Sequence, residues 1–346
     1  MNPAERAIRG VDGWQQRHKP AAFVYGIIKK YGDDNASQLA SSLTHTGFLT
    51  LFPLLLVLTT IVGLLASVDP GLRHSVDSAI QHQFPEIGKQ LTSNVSALKK
   101  SSIIGLIVGL LLVIYGTSGL AQTAMFTMAQ IWNIPGPKRP GYVPRLARAG
   151  LFLLVLLVGV VATTVLASLS TIGHHVPGLI VGADILAGLV NIGMYVLGYR
   201  VLTPKGIPTR SLIPGAIVAG ILWTVLQTLG ALVVKHYLHS ESVYGVFALV
   251  LALIAWIYLV VEITLYSAEI NVVHARKLYP RSIMQPPLTE ADRAALALQP
   301  LQNQRRPEQH IEVTFTDRED SAEPPSGTPR HPDDVSPPAS APASHD

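Results

Sequence analysis

The chain has 346 residues, of which 49% are hydrophobic and 14% charged, with a mean hydropathy of +0.36. Ordinary soluble domains carry roughly 25% charge, and residues 102–270 hold only 8 basic and 4 acidic side chains; that is too few to cover a surface in water, so a water-soluble enzyme is nearly excluded. The sequence has no cysteine, which excludes disulfides, Cys-ligated zinc, iron–sulfur clusters and a thiol nucleophile.

Residues 1–40 form a polar N-terminal segment that includes the mixed stretch AAFVYGIIKKYG. This stretch suits a helix lying on the inner leaflet or one packed beneath a helical bundle. A membrane domain then occupies 41–280. A bilayer core of about 30 Å takes about 20 apolar residues as a helix. Six runs qualify, at about 47–68, 103–123, 149–172, 177–199, 211–234 and 244–270. They are continuous rather than alternating, so they read as helices and not as barrel strands. Pro53 lies deep in the first run and is expected to kink it, whereas Pro214 falls in a first turn, where its missing donor is harmless. Residues 69–101 form the only long outer loop, read as two short helices broken near Pro85. The uncharged stretch Ala121–Ile134 is amphipathic and prolongs the second helix up to Pro135-Gly136-Pro137. From about Met284 to 346 the chain becomes rich in Pro, Ser and Asp, and it reads as a disordered tail, solvated or binding a protein partner.

Lys and Arg fix the orientation. Sixteen flank the runs on one side and five on the other, which fits six spans with both termini in the cytoplasm. The expected fold is therefore an all-α integral membrane protein in contact with the lipid bilayer.

Ionisable and polar residues at membrane depth carry most of the functional information. Glu262 and Glu269 stand seven residues apart in the sixth run, two turns on and hence on nearly the same helix face. With Tyr258 and Asn271 they read as a polar seam facing the bundle. Asp184 and Asn191 in the fourth run, Gln227 in the fifth and His45 at the mouth of the first are the other candidates to line a polar cavity. Small residues let helices approach closely; Gly105 with Gly109, and Ala216 with Gly220, are the candidate packing pairs. No phosphate-binding loop, HExxH, GxSxG or RNA-binding pattern is present. No metal, cofactor or nucleic-acid partner is expected. Topology already accounts for the basic residues, and the oligomeric state is left open.

Several short motifs make the chain resemble the YihY/BrkB family of bacterial inner-membrane proteins. They are Thr50-Leu51-Phe52-Pro53 in the first run, Ile131-Trp132-Asn133 after the second, and Ser211-Leu212-Ile213-Pro214-Gly215-Ala216 opening the fifth. The closing block is the most specific: Val243-Tyr244-Gly245, Ala255-Trp256-Ile257-Tyr258 and Ser267-Ala268-Glu269-Ile270-Asn271. It is similar to a family pattern YG…WxY…GAExN, with Ser267 in place of glycine. The resemblance covers roughly residues 20–280. It implies six spans with cytoplasmic termini, the topology that the charge count gives independently. It implies no activity. Members have carried the label of a tRNA-processing ribonuclease, but RNA cleavage needs a bound metal or an acid–base pair beside a basic groove, and this chain offers neither outside the bilayer. The expected function is a permease for a small or amphipathic solute working through the polar seam, with a non-catalytic envelope scaffold as the alternative.

Overall fold

The computed structural model of the protein describes residues 3–66, 103–172, 177–237 and 245–315. The described residues are helical, with no strand among them. Two short helices come first, α1 (Pro3–Arg17) and α2 (Lys19–Asp33). Six long ones come next: α3 (Ala36–Ala66), α4 (Ile103–Ile131), α5 (Tyr142–Ile172), α6 (Pro177–Leu202), α7 (Ile213–Tyr237) and α8 (Gly245–Arg276). The last is α9 (Glu290–Leu298). The expected loop helices between α3 and α4 lie outside the described residues, as does the chain from 316 onward.

The long helices coincide with the apolar runs and extend past them by a few turns. Four carry windows long and apolar enough to cross a membrane, from Tyr142, Ile185, Thr209 and Val250 onward, counting described residues only. α4 ends at Ile131, as its amphipathic extension predicts. Asn133 then adopts the left-handed conformation (φ 48°), and the Ile134 N–H bonds back to the Ala129 carbonyl at 2.8 Å. Lys277 (φ 53°) closes α8 in the same way, with Leu278 N–H to Val273 O at 3.1 Å. Both closures satisfy carbonyls that a helix end would otherwise orphan.

The six long helices pack as a closed ring. Each touches its sequence neighbour, and α8 returns to pack on α3. The outward faces are apolar: along α5, Leu151, Leu154, Leu157, Val158 and Val161 are exposed, and along α7, Ile217, Ile221, Val225 and Leu229. Only 12% of the Tyr142–Thr163 window is buried, at a mean hydropathy of 2.3. A soluble protein does not expose so continuous an apolar band; hydrocarbon is the solvent that suits it.

Close approach inside the ring rests on small residues. A Cβ added at Gly215 on α7 would fall 1.9 Å from the Ser267 carbonyl on α8, and one at Gly220 would fall 2.6 Å from Ile192 on α6. Ala216 is fully buried beside them. Ala216 and Gly220 sit at these helix contacts, whereas the surroundings of Gly105, Gly109 and Pro53 fall outside the described side chains.

The tail requires a correction. The sequence places disorder from Met284, yet the chain folds onto α1 and α2 there. Thr289 and Asp292 form a reciprocal capping box that starts α9, and Asp292 is fully buried. Beyond α9, the Gln304 carbonyl accepts from the Gly136 N–H at 2.9 Å. The Pro- and Ser-rich composition downstream masked a short amphipathic helix at the head of this segment.

Candidate functional site

The two glutamates of α8 share one face, and the element opposite that face is α2. Tyr31 Oη donates to both carboxylate oxygens of Glu262, at 2.8 and 2.7 Å. Its ring stacks on Tyr266, with centroids 4.1 Å apart and planes 4° from parallel. Tyr258, one turn back, reaches Glu262 as well. Burial, and then hydrogen bonding to Glu262, push the Tyr31 phenol well above its ordinary value.

Lys30, the residue before Tyr31 on α2, is 1% exposed. Its ammonium pairs with Asp34, donates to the Ile131 carbonyl at 3.1 Å and stands 3.7 Å from Glu269 Oε2. Asn133 donates to Asp34 at 3.3 Å. Both Glu269 oxygens are buried and accept no hydrogen bond from a described residue. One cation therefore serves two carboxyls. Burial pushes the Asp34 carboxyl above its ordinary value, and Lys30 only partly offsets this. Beside the cluster, Arg276 donates to the Trp132 carbonyl at 2.6 Å and lies over the Trp132 ring at 5.9 Å.

Tyr258, Glu262 and Glu269 thus follow one stripe of α8 that faces α2, and none of them lines the cavity at the centre of the ring. Asn271, the last member of the expected seam, is turned to α7, where its Oδ1 accepts the Gly215 N–H at 2.7 Å. This caps an N-terminal amide that α7 cannot satisfy itself. His45 is exposed, Gln227 is half-buried on α7, and the side chain of Asp184 lies outside the described set.

Of the expected polar residues whose side chains are described, Asn191 lines the cavity at the centre of the ring. That cavity measures about 380 Å³ and takes walls from all six long helices. Leu43, Leu120, Met128, Phe152, Leu156, Met194, Trp223 and Val261 make it apolar, and Asn191, Thr163, Tyr195, Tyr199 and Thr264 supply its polar atoms. Tyr199 Oη is committed to the Thr264 carbonyl at 2.7 Å. A chamber of this size and lining suits an apolar or amphipathic molecule with a few polar atoms, not a bare ion.

A second charged cluster sits below the ring. Arg281, fully buried, donates to Asp292 at 2.8 Å and Asp33 at 2.6 Å. Lys29 reaches Asp292 at 2.9 Å and the Ser282 carbonyl at 2.6 Å. Burial raises the Asp292 carboxyl, but Lys29, the Ser282 N–H, Arg281 and Thr289 outweigh it and hold it well below the carboxylate range. At Asp12 burial is likewise outweighed, by the Ile283 N–H with Gln16 and Gln15, and the carboxyl sits below its ordinary value. Sequence reasoning missed Lys30, Asp34, Arg281 and Asp292. The Thr289-x-x-Asp292 spacing was the one local signal for any of them.

A ring of apolar helices, with the described charged clusters gathered where α2 and α9 pack, defines a multi-pass membrane protein. Comparison with known proteins narrows the class. The family model described as "Virulence factor BrkB" matches residues 27–290, and the chain belongs to that family. It is similar to a UPF0761 membrane protein of Pseudomonas paraeruginosa, 24% identical over 76% of this chain and 66% of the relative. A UPF0761 membrane protein of Alcanivorax borkumensis is 23% identical over 72% of this chain and 59% of the relative. One of Alteromonas mediterranea is 28% identical over 71% and 85%. The chain thus spans about three-fifths to two-thirds of the first two relatives. No solved structure matches. The protein is a bacterial multi-pass membrane protein.

Proposed function

We propose that the protein is a non-catalytic permease for a small apolar or amphipathic solute, crossing the inner membrane six times with both termini in the cytoplasm. The observation that carries this reading is the central cavity of about 380 Å³ bounded by all six long helices. The topology rests on the excess of Lys and Arg, sixteen against five, on the side of the termini. The α8 glutamates lie outside the cavity wall, so any proton coupling through Glu262 has to pass through Tyr31 and the docking of α2.

The test uses an anthroyloxy-labelled stearate as an amphipathic probe of protein in lipid nanodiscs. Leu156→Trp and Ala124→Phe fill the chamber and should weaken binding several-fold. Flux of the same probe in proteoliposomes should fall in parallel. Equal binding and flux in wild type and both variants removes the cavity from the function. Glu262→Gln should abolish the pH dependence of flux with insertion intact; an unchanged pH profile takes Glu262 out of the mechanism.

A second reading, an envelope scaffold, draws on the folding of 284–311 against α1 and α2. Asp292→Asn, which removes the carboxylate shared by Lys29, Arg281 and the Ser282 N–H, loosens that folded part. A lost cellular phenotype with probe flux unchanged favours the scaffold.

A further inference from the structure

α1 buries polar side chains and leaves apolar ones exposed. Its buried residues are Asp12 and Gln15, and its exposed ones include Ile8, Val11 and Trp14. The buried polar side chains are held by the 281–284 segment. Asp12 accepts from the Ile283 N–H at 3.0 Å and the Ser282 hydroxyl at 3.2 Å, and Gln15 donates to the Arg281 carbonyl at 2.6 Å. Among the described residues, Val11 and Trp14 form an exposed apolar flank beside that buried face, at 56% and 52% exposure, and Ile8, 42% exposed and seven residues before Gln15, stands at the edge between the two. Trp14 stacks on His18 at 4.6 Å, which stiffens the end of the stripe.

Two further features say what covers that flank. Its anchor point, 281–284, comes within a few residues of the end of the α8 span at Arg276. At full extension the six residues from Arg276 to Ser282 reach roughly 20 Å, so α1 is held near the membrane boundary. Charge is the other. Arg6, Arg17 and Lys19 are exposed around the stripe, Glu5 is neutralised by Arg9 at 3.1 Å, and Asp12 is buried. A positive rim around an apolar stripe that ends in tryptophan is the pattern of a helix lying in a bilayer interface.

We propose that α1 lies flat in the headgroup layer of the leaflet beside the chain termini, with Val11 and Trp14 in the acyl boundary and Arg6, Arg17 and Lys19 on anionic headgroups. The helix at the interface is thus α1, whereas α2, with the mixed stretch AAFVYGIIKKYG, packs beneath the bundle against α8. This assignment holds whether or not the ring moves a solute.

The chain has no native cysteine, so single-cysteine spin labels can be placed in the full-length protein. Val11→Cys reports the stripe. Gly13→Cys, where an added Cβ meets nothing within 4 Å, reports a position away from it. In nanodiscs of phosphatidylcholine with phosphatidylglycerol, the Val11 label should be relaxed several-fold more by oxygen than by a water-soluble nickel chelate, and the Gly13 label the reverse. In pure phosphatidylcholine the Val11 contrast should shrink. Equal nickel access at both positions puts the stripe in water and overturns the proposal. Access to neither relaxant means that a second copy or another protein covers it, which overturns it equally.

Discussion

Lys30→Met tests the assignment of the buried cluster most directly. Methionine keeps the length and most of the volume of the side chain but removes the one ammonium that Asp34, Glu269 and the Ile131 carbonyl face. At 3.7 Å two unit charges interact by about 4 kcal/mol with an effective dielectric near 20. That attraction is gross, and much of it offsets desolvation. The variant leaves Asp34 without its ion-pair partner, with only the more distant Arg276 acting on it, and an uncompensated buried charge costs up to about 3–5 kcal/mol. Lys30→Met/Asp34→Asn removes both charges and should recover most of the loss, since a matched neutral pair strands nothing. Glu269→Gln leaves Lys30 paired with Asp34, so it should cost less than Lys30→Met. The assay is unfolding in a fixed detergent, followed by tryptophan fluorescence. A Lys30→Met variant within about 1 kcal/mol of wild type refutes the reasoning. So does a double variant as unstable as the sum of its parts.

Gly215→Ala should cost about 3 kcal/mol or more, because its Cβ meets the Ser267 backbone at 1.9 Å. Gly198→Ala, whose nearest contact is Phe152 at 3.9 Å, should be close to neutral, and the folded yield in detergent compares the two. Asp12 and Asp292 are both held below the ordinary carboxylate value, so they bind protons less readily folded than unfolded. Their stabilisation is therefore complete above about pH 4 and fades only as pH falls through the lower folded values. Proteolytic protection of 284–311 should persist at pH 5 and weaken under strong acid, and Asp292→Asn should remove it at neutral pH. Cleavage that increases between pH 7 and 5 contradicts this.

The long helices were legible because hydrocarbon demands long apolar runs and leaves little room for ambiguity. The face shared by Glu262 and Glu269 was legible too, since a spacing of seven returns to the same side of a helix. Periodicity says which residues share a face and nothing about what that face meets. The reading of a cavity therefore missed α2, which brings Lys30 and Tyr31 to the glutamates. The same gap hid the cap for α7: Asn271 is 56 residues from the amide it satisfies. At the C-terminus, composition failed because it averages. The short helix Glu290–Leu298 was diluted by the Pro- and Ser-rich residues after it.

Ring closure also has an order in time. α3 is synthesised before α4 to α7, and α8, the helix that seals the ring against it, is synthesised after them. During that interval Lys30 already has Asp34 one turn away on its own segment, so the earliest cation waits with a counter-charge of its own while its second carboxyl is still inside the ribosome. A nascent chain halted before Gly245 is a barrel with one stave missing, its chamber open sideways to lipid.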